Sequence, residues 1–305
     1  MSSGGREIVS AGGTTSNTAV LMGGTQIVSA SGTTINTALL MGGTETVLAG
    51  GFAGDAIVSS GGKLNVSKGG AVEYVLVSSG GVFNLAGTTS GGYVTVNFGG
   101  VETVLSGGVD SGRIIGDQIY GTVNVSSGGK LISAAVLSGG KLTISKGGSA
   151  ASIFVSNGGH LNVAGTTTSN VMVSSGGYEL VSAGGIASGT TIAGGTVEIA
   201  GGGSVGGKVT FAANSGKLLL DSTTFSGTVA GMTADDTIDL RNFKITATSA
   251  TLSVTDGAHI AHIILLGNYM GSTFTPSNDG FGGTSIVDPH VSNTQIASLA
   301  QTHRG

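Results

Sequence analysis

The sequence has no cysteine, no tryptophan and only two prolines, and charged residues make up just 9% of its 305 positions. Without cysteine there is no disulfide staple and no thiolate metal site, and the redox compartment stays open. Two prolines beside 59 glycines exclude collagen, which needs a strict Gly-X-Y period and abundant proline. A net charge of −4, with no dense basic patch, argues against nucleic acid and anionic membranes as partners. No apolar run approaches the roughly 18 residues that a membrane span needs, so no membrane insertion is expected. Residues 1–6 also lack the apolar region of a signal peptide. Either the chain is a piece of a longer protein, or it is exported by a route that needs no N-terminal signal.

What is present is a repeat. A block reading x-φ-x-V-S-x-G-G, with φ often apolar, begins at Arg6, Thr25, Thr44, Lys63, Val82, Val101, Thr122, Lys141, His160, Tyr178 and Thr196. Most of these starts are 19 residues apart, which is the signature of stacked units. The fourth column is aliphatic throughout, from Val9, Val28 and Val47 to Val181 and Ile199, and is predicted to point inward. The third column is mainly Thr or Asn, giving a period-2 strand with one wet face. The second column mixes Leu64, Phe83, Leu142 and Leu161 with Glu7, Glu45, Glu102 and Glu179, and is expected at the margin of the core.

A second apolar segment follows half a period on, as in Ala56-Ile57-Val58 and Val75-Leu76-Val77. One repeat therefore reads as two short strands joined by glycine turns, where glycine supplies the positive φ of a tight corner. The connections are too short for the dozen or more residues of a helical crossover. The strands must coil around a common axis, each pairing with its copy one turn later. The expected fold is all-β, a right-handed parallel β-helix (β-solenoid) of about eleven 19-residue rungs, roughly 50 Å long at the strand spacing. The two extra residues before Thr122 are expected to bulge out within residues 117–120.

The period fades after Gly203. Residues 1–204 are read as the solenoid and 205–290 as a β-rich C-terminal cap continuing the stack. Such a cap guards the last open edge. Residues 291–305 are read as a polar tail.

Thr25-Gln26-Ile27-Val28-Ser29, Met41-Gly42-Gly43-Thr44-Glu45-Thr46-Val47, Val77-Ser78-Ser79-Gly80-Gly81 and Tyr178-Glu179-Leu180-Val181-Ser182-Ala183-Gly184-Gly185 resemble the passenger repeats of AIDA-type autotransporter adhesins of Gram-negative bacteria. The resemblance covers about residues 6–204. It implies a right-handed parallel β-helix outside the cell, acting in adhesion, auto-aggregation and biofilm formation. It also implies O-glycosylation on repeat serines, for which Ser78, Ser79, Ser126, Ser127, Ser174 and Ser175 are the candidates. The chain departs from the family in showing no translocator barrel with alternating, aromatic-girdled strands.

Other chemistry finds little support. Polysaccharide-active β-helices need clustered carboxylates, yet Asp55, Asp110 and Asp117 stand alone in the repeats. Glu45 and Glu102 lie three rungs apart, about 14 Å. Asp235, Asp236 and Asp239 lack the Gly-Gly-x-Gly-x-Asp calcium repeat and read as a turn. His259 and His262 would point to opposite faces of a strand and so cannot share one ion. Thr14-Thr15, Thr33-Thr34, Thr88-Thr89 and Thr166-Thr167 recur in too few rungs for an ice-binding lattice. No catalytic residue, cofactor or metal is assigned. The expected function is a non-enzymatic extracellular surface protein, secreted or displayed on a bacterial cell. It would mediate adhesion, self-association or biofilm formation, with itself or a cell-surface receptor or glycan as partner. Two alternatives stand beside it: a subunit of a head-to-tail filament, and a polysaccharide-active enzyme.

Overall fold

The structure, a computed structural model, describes residues 1–287 apart from 2, 113–115, 214, 222–224, 226, 242–251, 256–259, 267–273 and 281. It is a parallel β-solenoid. Every block of the repeat forms a strand of one continuous ladder: Arg6–Val9 pairs with Thr25–Val28, Thr25–Val28 with Thr44–Val47, and so on to Thr237–Leu240. Among the described residues this ladder holds thirteen parallel strands. Its register is the sequence alignment itself, so Arg6 faces Thr25, and Lys63 faces Val82. The 19-residue period is thus one turn of the coil.

Each turn carries three strands rather than the two read from the sequence. Between the expected pair lies a short second-ladder strand, such as Thr14–Ser16, Thr33–Ile35, Phe52–Gly54 or Ala71–Val72. The third ladder runs through Ala38–Leu39, Ala56–Val58, Val75–Val77 and Val94–Val96. Second and third ladders merge in the seven-residue strands Lys130–Val136 and Ser149–Val155, which bend at Ser133 (φ 72°) and Ser152 (φ 54°).

Packing corrects the reading of the second column. The first-ladder strands alternate half-exposed and buried, and the buried residues are columns two and four. Leu64, Phe83, Leu142 and Leu161 are fully buried, and so are Gln26, Glu45, Glu102 and Glu179. The glutamates made the column look marginal, but in a coil this narrow both even columns must point inward. Each fully buried aliphatic side chain contributes about 1.5–3 kcal/mol. Repeated along the axis, this yields one unbroken core from Val9 to Ile286.

The glycine doublets do two different jobs. Gly61 holds φ at 83°, the left-handed corner conformation. At Gly62 a Cβ would collide with the backbone carbonyl of Leu39 in the rung below. The corner itself closes with the Gly62 amide donating to the Ser59 carbonyl at 2.9 Å.

The insertion also lies elsewhere than expected. Asp117–Ile119 is a regular third-ladder strand that pairs with Val94–Val96 and Lys130–Val136. The extra residues fall in sequence between the second-ladder strand Val109–Asp110 and the third-ladder strand Asp117–Ile119, and both strands keep their ladder pairing.

The parallel ladders continue past residue 204, through Lys217–Leu220 and Thr237–Leu240. There the pattern changes. Thr284–Val287 runs antiparallel along Thr237–Leu240, and Thr275–Asn278 lies antiparallel outside it. Leu252–Thr255 and Ile260–Leu266 form a second antiparallel pair, joined to the stack through Thr228–Ala230. The polar tail 291–305 lies outside the described residues.

Candidate functional site

The strongest concentration of chemical groups is inside the coil. Asp110 and Asp117, distant from other acids in the sequence, are brought beside Glu102 by the corner between second and third ladders. All three are 0% exposed. Asp110 accepts from the Thr89 hydroxyl at 2.9 Å, and Asp117 accepts from the Val94 amide at 2.7 Å. Burial raises the pKa of each. The charge of Asp110 adds to the rise at Glu102 and Asp117, while the Thr89 and backbone hydrogen bonds work against it at Asp110. The reading of these aspartates as isolated is therefore corrected. The trio is nevertheless sealed from solvent, so a polymer substrate has no route to it.

Glu45 and Glu179 repeat the theme singly. Glu45 accepts from the Thr34 hydroxyl at 2.5 Å, and Glu179 neighbours Thr190. Desolvation pushes each carboxyl up to about 7 from an ordinary 4.5. Below Glu45 the ladder continues in polar residues: Gln26 donates to Glu7 at 2.8 Å and to Thr15 at 3.2 Å. The second threonine of the pairs faces the same interior, with Thr34, Thr89 and Thr167 buried. Half of the supposed threonine lattice thus points inward.

Further along the stack, Asp236 and Arg241 have structural partners. Asp236 is buried and accepts from the Gly216 amide at 2.9 Å and from the Thr233 amide and hydroxyl at 2.8 Å each. Arg241 bridges Glu198 at 3.3 Å and Asp221 at 3.7 Å, and Tyr178 donates to Glu198 at 2.5 Å. Among the described residues no group of three or more His, Asp or Glu is arranged to hold a metal ion. His259 lies outside the described residues.

The candidate serines occupy two corners. Ser78-Ser79 and Ser174-Ser175 sit on the corner after the third ladder, and Ser126-Ser127 on the corner after the first. In each pair the first serine is half-buried and the second exposed. The first serine's carbonyl accepts the corner hydrogen bond, from Gly81, Gly129 or Gly177, at 2.8–2.9 Å. The Ser174 hydroxyl is further tied to the Val155 carbonyl at 3.1 Å. Ser79, Ser127 and Ser175 are the more exposed member of each pair.

One surface feature escapes a motif search. Asn17, Asn36, Asp55, Tyr74 and Tyr93 stand one period apart on the corner between second and third ladders. The Tyr74 and Tyr93 rings meet edge to face, with centroids 5.3 Å apart. Their shared 19-residue spacing was the signal that could have found them.

No protein-family model matches the chain, and no curated protein does. Among solved structures, it is similar to the crystal structure of a TibC-catalysed hyper-glycosylated TibA fragment, residues 55–350. The TM-score is 0.57 and the identity 28%, over 76% of this chain and 90% of that one. The likeness of sequence and the likeness of coil point the same way: this chain is a parallel β-solenoid similar to the TibA fragment, an AIDA-type autotransporter adhesin passenger.

Proposed function

We propose that the chain works outside the cell, displayed or secreted, as an adhesin rod that makes cells adhere, aggregate or form biofilm through its outer faces. The observation that carries this reading is the shared coil with the TibA fragment across 76% of the chain. The distribution of chemistry agrees with it. The carboxylates that could serve as paired acids are inside, while the faces carry Ser, Thr, Asn and single apolar side chains. Shallow contacts of that kind gain strength through multiplicity along a rod. The partners we propose are a second copy of the chain and a receptor or glycan on another cell.

The hyper-glycosylation of the TibA fragment supports reading the corner serines as sugar acceptors. Of the six candidates, Ser79, Ser127 and Ser175 are the most exposed. Residues 205–290 are proposed as the cap, with its boundaries at 204/205 and 290/291. Head-to-tail filaments have less support: the outer strand Thr275–Asn278 is antiparallel and carries Pro276, which has no amide to donate to a new rung.

The test is display of the chain on non-aggregating bacteria, with settling and attachment measured. Clumping or attachment above the undisplayed control is expected, and its absence overturns the reading. Intact mass after co-expression with a protein O-glycosyltransferase tests the serines. The added sugar mass should fall when Ser79, Ser127 and Ser175 become alanine.

A further inference from the structure

We propose that the groove beside Tyr74 and Tyr93 is a binding site for a neutral oligosaccharide of another cell's surface. This deepens the adhesin reading by naming a ligand class, and it rests on that reading only for its biological setting.

The groove is built by two adjacent columns. On the corner, Asn36, Asp55, Tyr74 and Tyr93 follow one another rung by rung. Beside them on the outward face of the third ladder stand Ile57 and Leu76, with Ile57 45% exposed. Together they enclose an open trough of about 280 Å³, near the lower end of small-molecule sites at about 300–1,000 Å³. Its floor is fixed by the ladder: the Ala56 amide donates to the Tyr74 carbonyl at 2.9 Å, and the Val75 amide to the Tyr93 carbonyl at 3.3 Å. Asn36 (φ 56°) and Asp55 (φ 53°) adopt the left-handed corner conformation that Asn and Asp tolerate best. The site is thus preformed.

Its chemistry selects a ligand. Two half-exposed tyrosine rings with Ile57 and Leu76 offer an apolar wall to the C–H face of a pyranose. Tyrosine suits such a site, being rigid and apolar with a polar tip. The Asp55 carboxylate, the Asn36 amide and the Thr95 hydroxyl line the same trough and can accept or donate to sugar hydroxyls. No lysine or arginine lines it, and Asp55 is exposed, so sialylated or sulfated glycans are repelled. From the Asn36 rung to the Tyr93 rung is about 14 Å along the axis. That length suits a chain laid along the rod. A lone ammonium group would instead be held by rings closing on several sides, whereas these two rings meet at 76° beside an open trough.

The test is a glycan microarray with the purified full chain, followed by titration of the best neutral oligosaccharide into the chain and its variants. Neutral structures should bind, with little dependence on salt. Tyr74→Ala and Tyr93→Ala should each weaken binding about tenfold, the worth of one lost aromatic contact. Asp55→Asn keeps the corner conformation and should weaken binding severalfold. Tyr93→Phe, which preserves packing, should retain most of it, and circular dichroism should report an unchanged coil in every variant. The inference is overturned if no neutral glycan binds, if binding survives Tyr74→Ala/Tyr93→Ala, or if the chain instead prefers a lysine-rich peptide in a salt-sensitive, Asp55-dependent way. Displayed double-variant chain that still clumps cells while losing the glycan would leave adhesion standing and place this site outside self-association. Glycan binding without clumping would do the reverse.

Discussion

Among single residues, the buried glutamates set the chain's response to pH. A carboxyl with a pKa of about 7 when folded, against 4.5 when unfolded, binds more protons in the native state between those values. Stability is therefore fully present below about pH 4.5 and is lost as pH rises through 7. At 1.36 kcal/mol per pKa unit, Glu45 and Glu179 each contribute on the order of 3 kcal/mol to that slope. The buried Glu102, Asp110 and Asp117 pull in the same direction. Thermal unfolding from pH 4.5 to 8.5 should give a melting temperature that falls with rising pH, the reverse of a protein held by surface salt bridges. Glu45→Gln and Glu179→Gln should flatten the curve. A melting temperature rising over this range would refute the account.

At the level of the strand and its corner, the glycine doublet gives a graded prediction. Gly61→Ala forces a left-handed φ on a side chain whose Cβ would meet only the Gly42 amide nitrogen, at an ordinary 3.6 Å contact, which costs about 1–2 kcal/mol. Gly62→Ala drives a Cβ into the Leu39 carbonyl and must push two rungs apart. Gly62→Ala should therefore destabilise more, and hydrogen exchange should show the opening centred on the Leu39 and Ser59 amides. Equal effects at the two positions would contradict the geometry. The doublet was plain in the sequence because it recurs, and so was the fourth column, since an aliphatic in every rung admits one reading. The second-ladder strands were not legible: a strand of two or three residues, such as Ala71–Val72, is too short to display a period of two. Column two was misjudged because Glu45 and Glu102 are polar, and only closure of the coil shows that they point inward. The meeting of Asp110 and Asp117 needed knowledge of where the chain turns its corner. Tyr74 and Tyr93 were in register throughout, but their ring contact belongs to the fold.

Across the whole molecule, near-identical rungs should behave as a one-dimensional stack, with stability summed over units and their neighbour interfaces. The register makes this testable by removing one full turn. Deleting residues 141–159 joins Gly140 to His160 and leaves the first ladder passing from Thr122–Val125 to His160–Val163. In the inward columns Val123 then meets Leu161 and Val125 meets Val163, all of them fully buried aliphatics, so the core stays continuous. The shortened chain should fold and unfold cooperatively, and small-angle scattering should find the rod shorter by about 4.8 Å, one strand spacing. Deleting only residues 141–150 takes out half a turn, brings the wrong ladders together and points polar columns inward, so that variant should lose its β-sheet circular dichroism signal. If both deletions fold equally well, period and register do not govern this protein. If neither folds, the rungs depend on distant neighbours, and the additive picture of the rod fails with them.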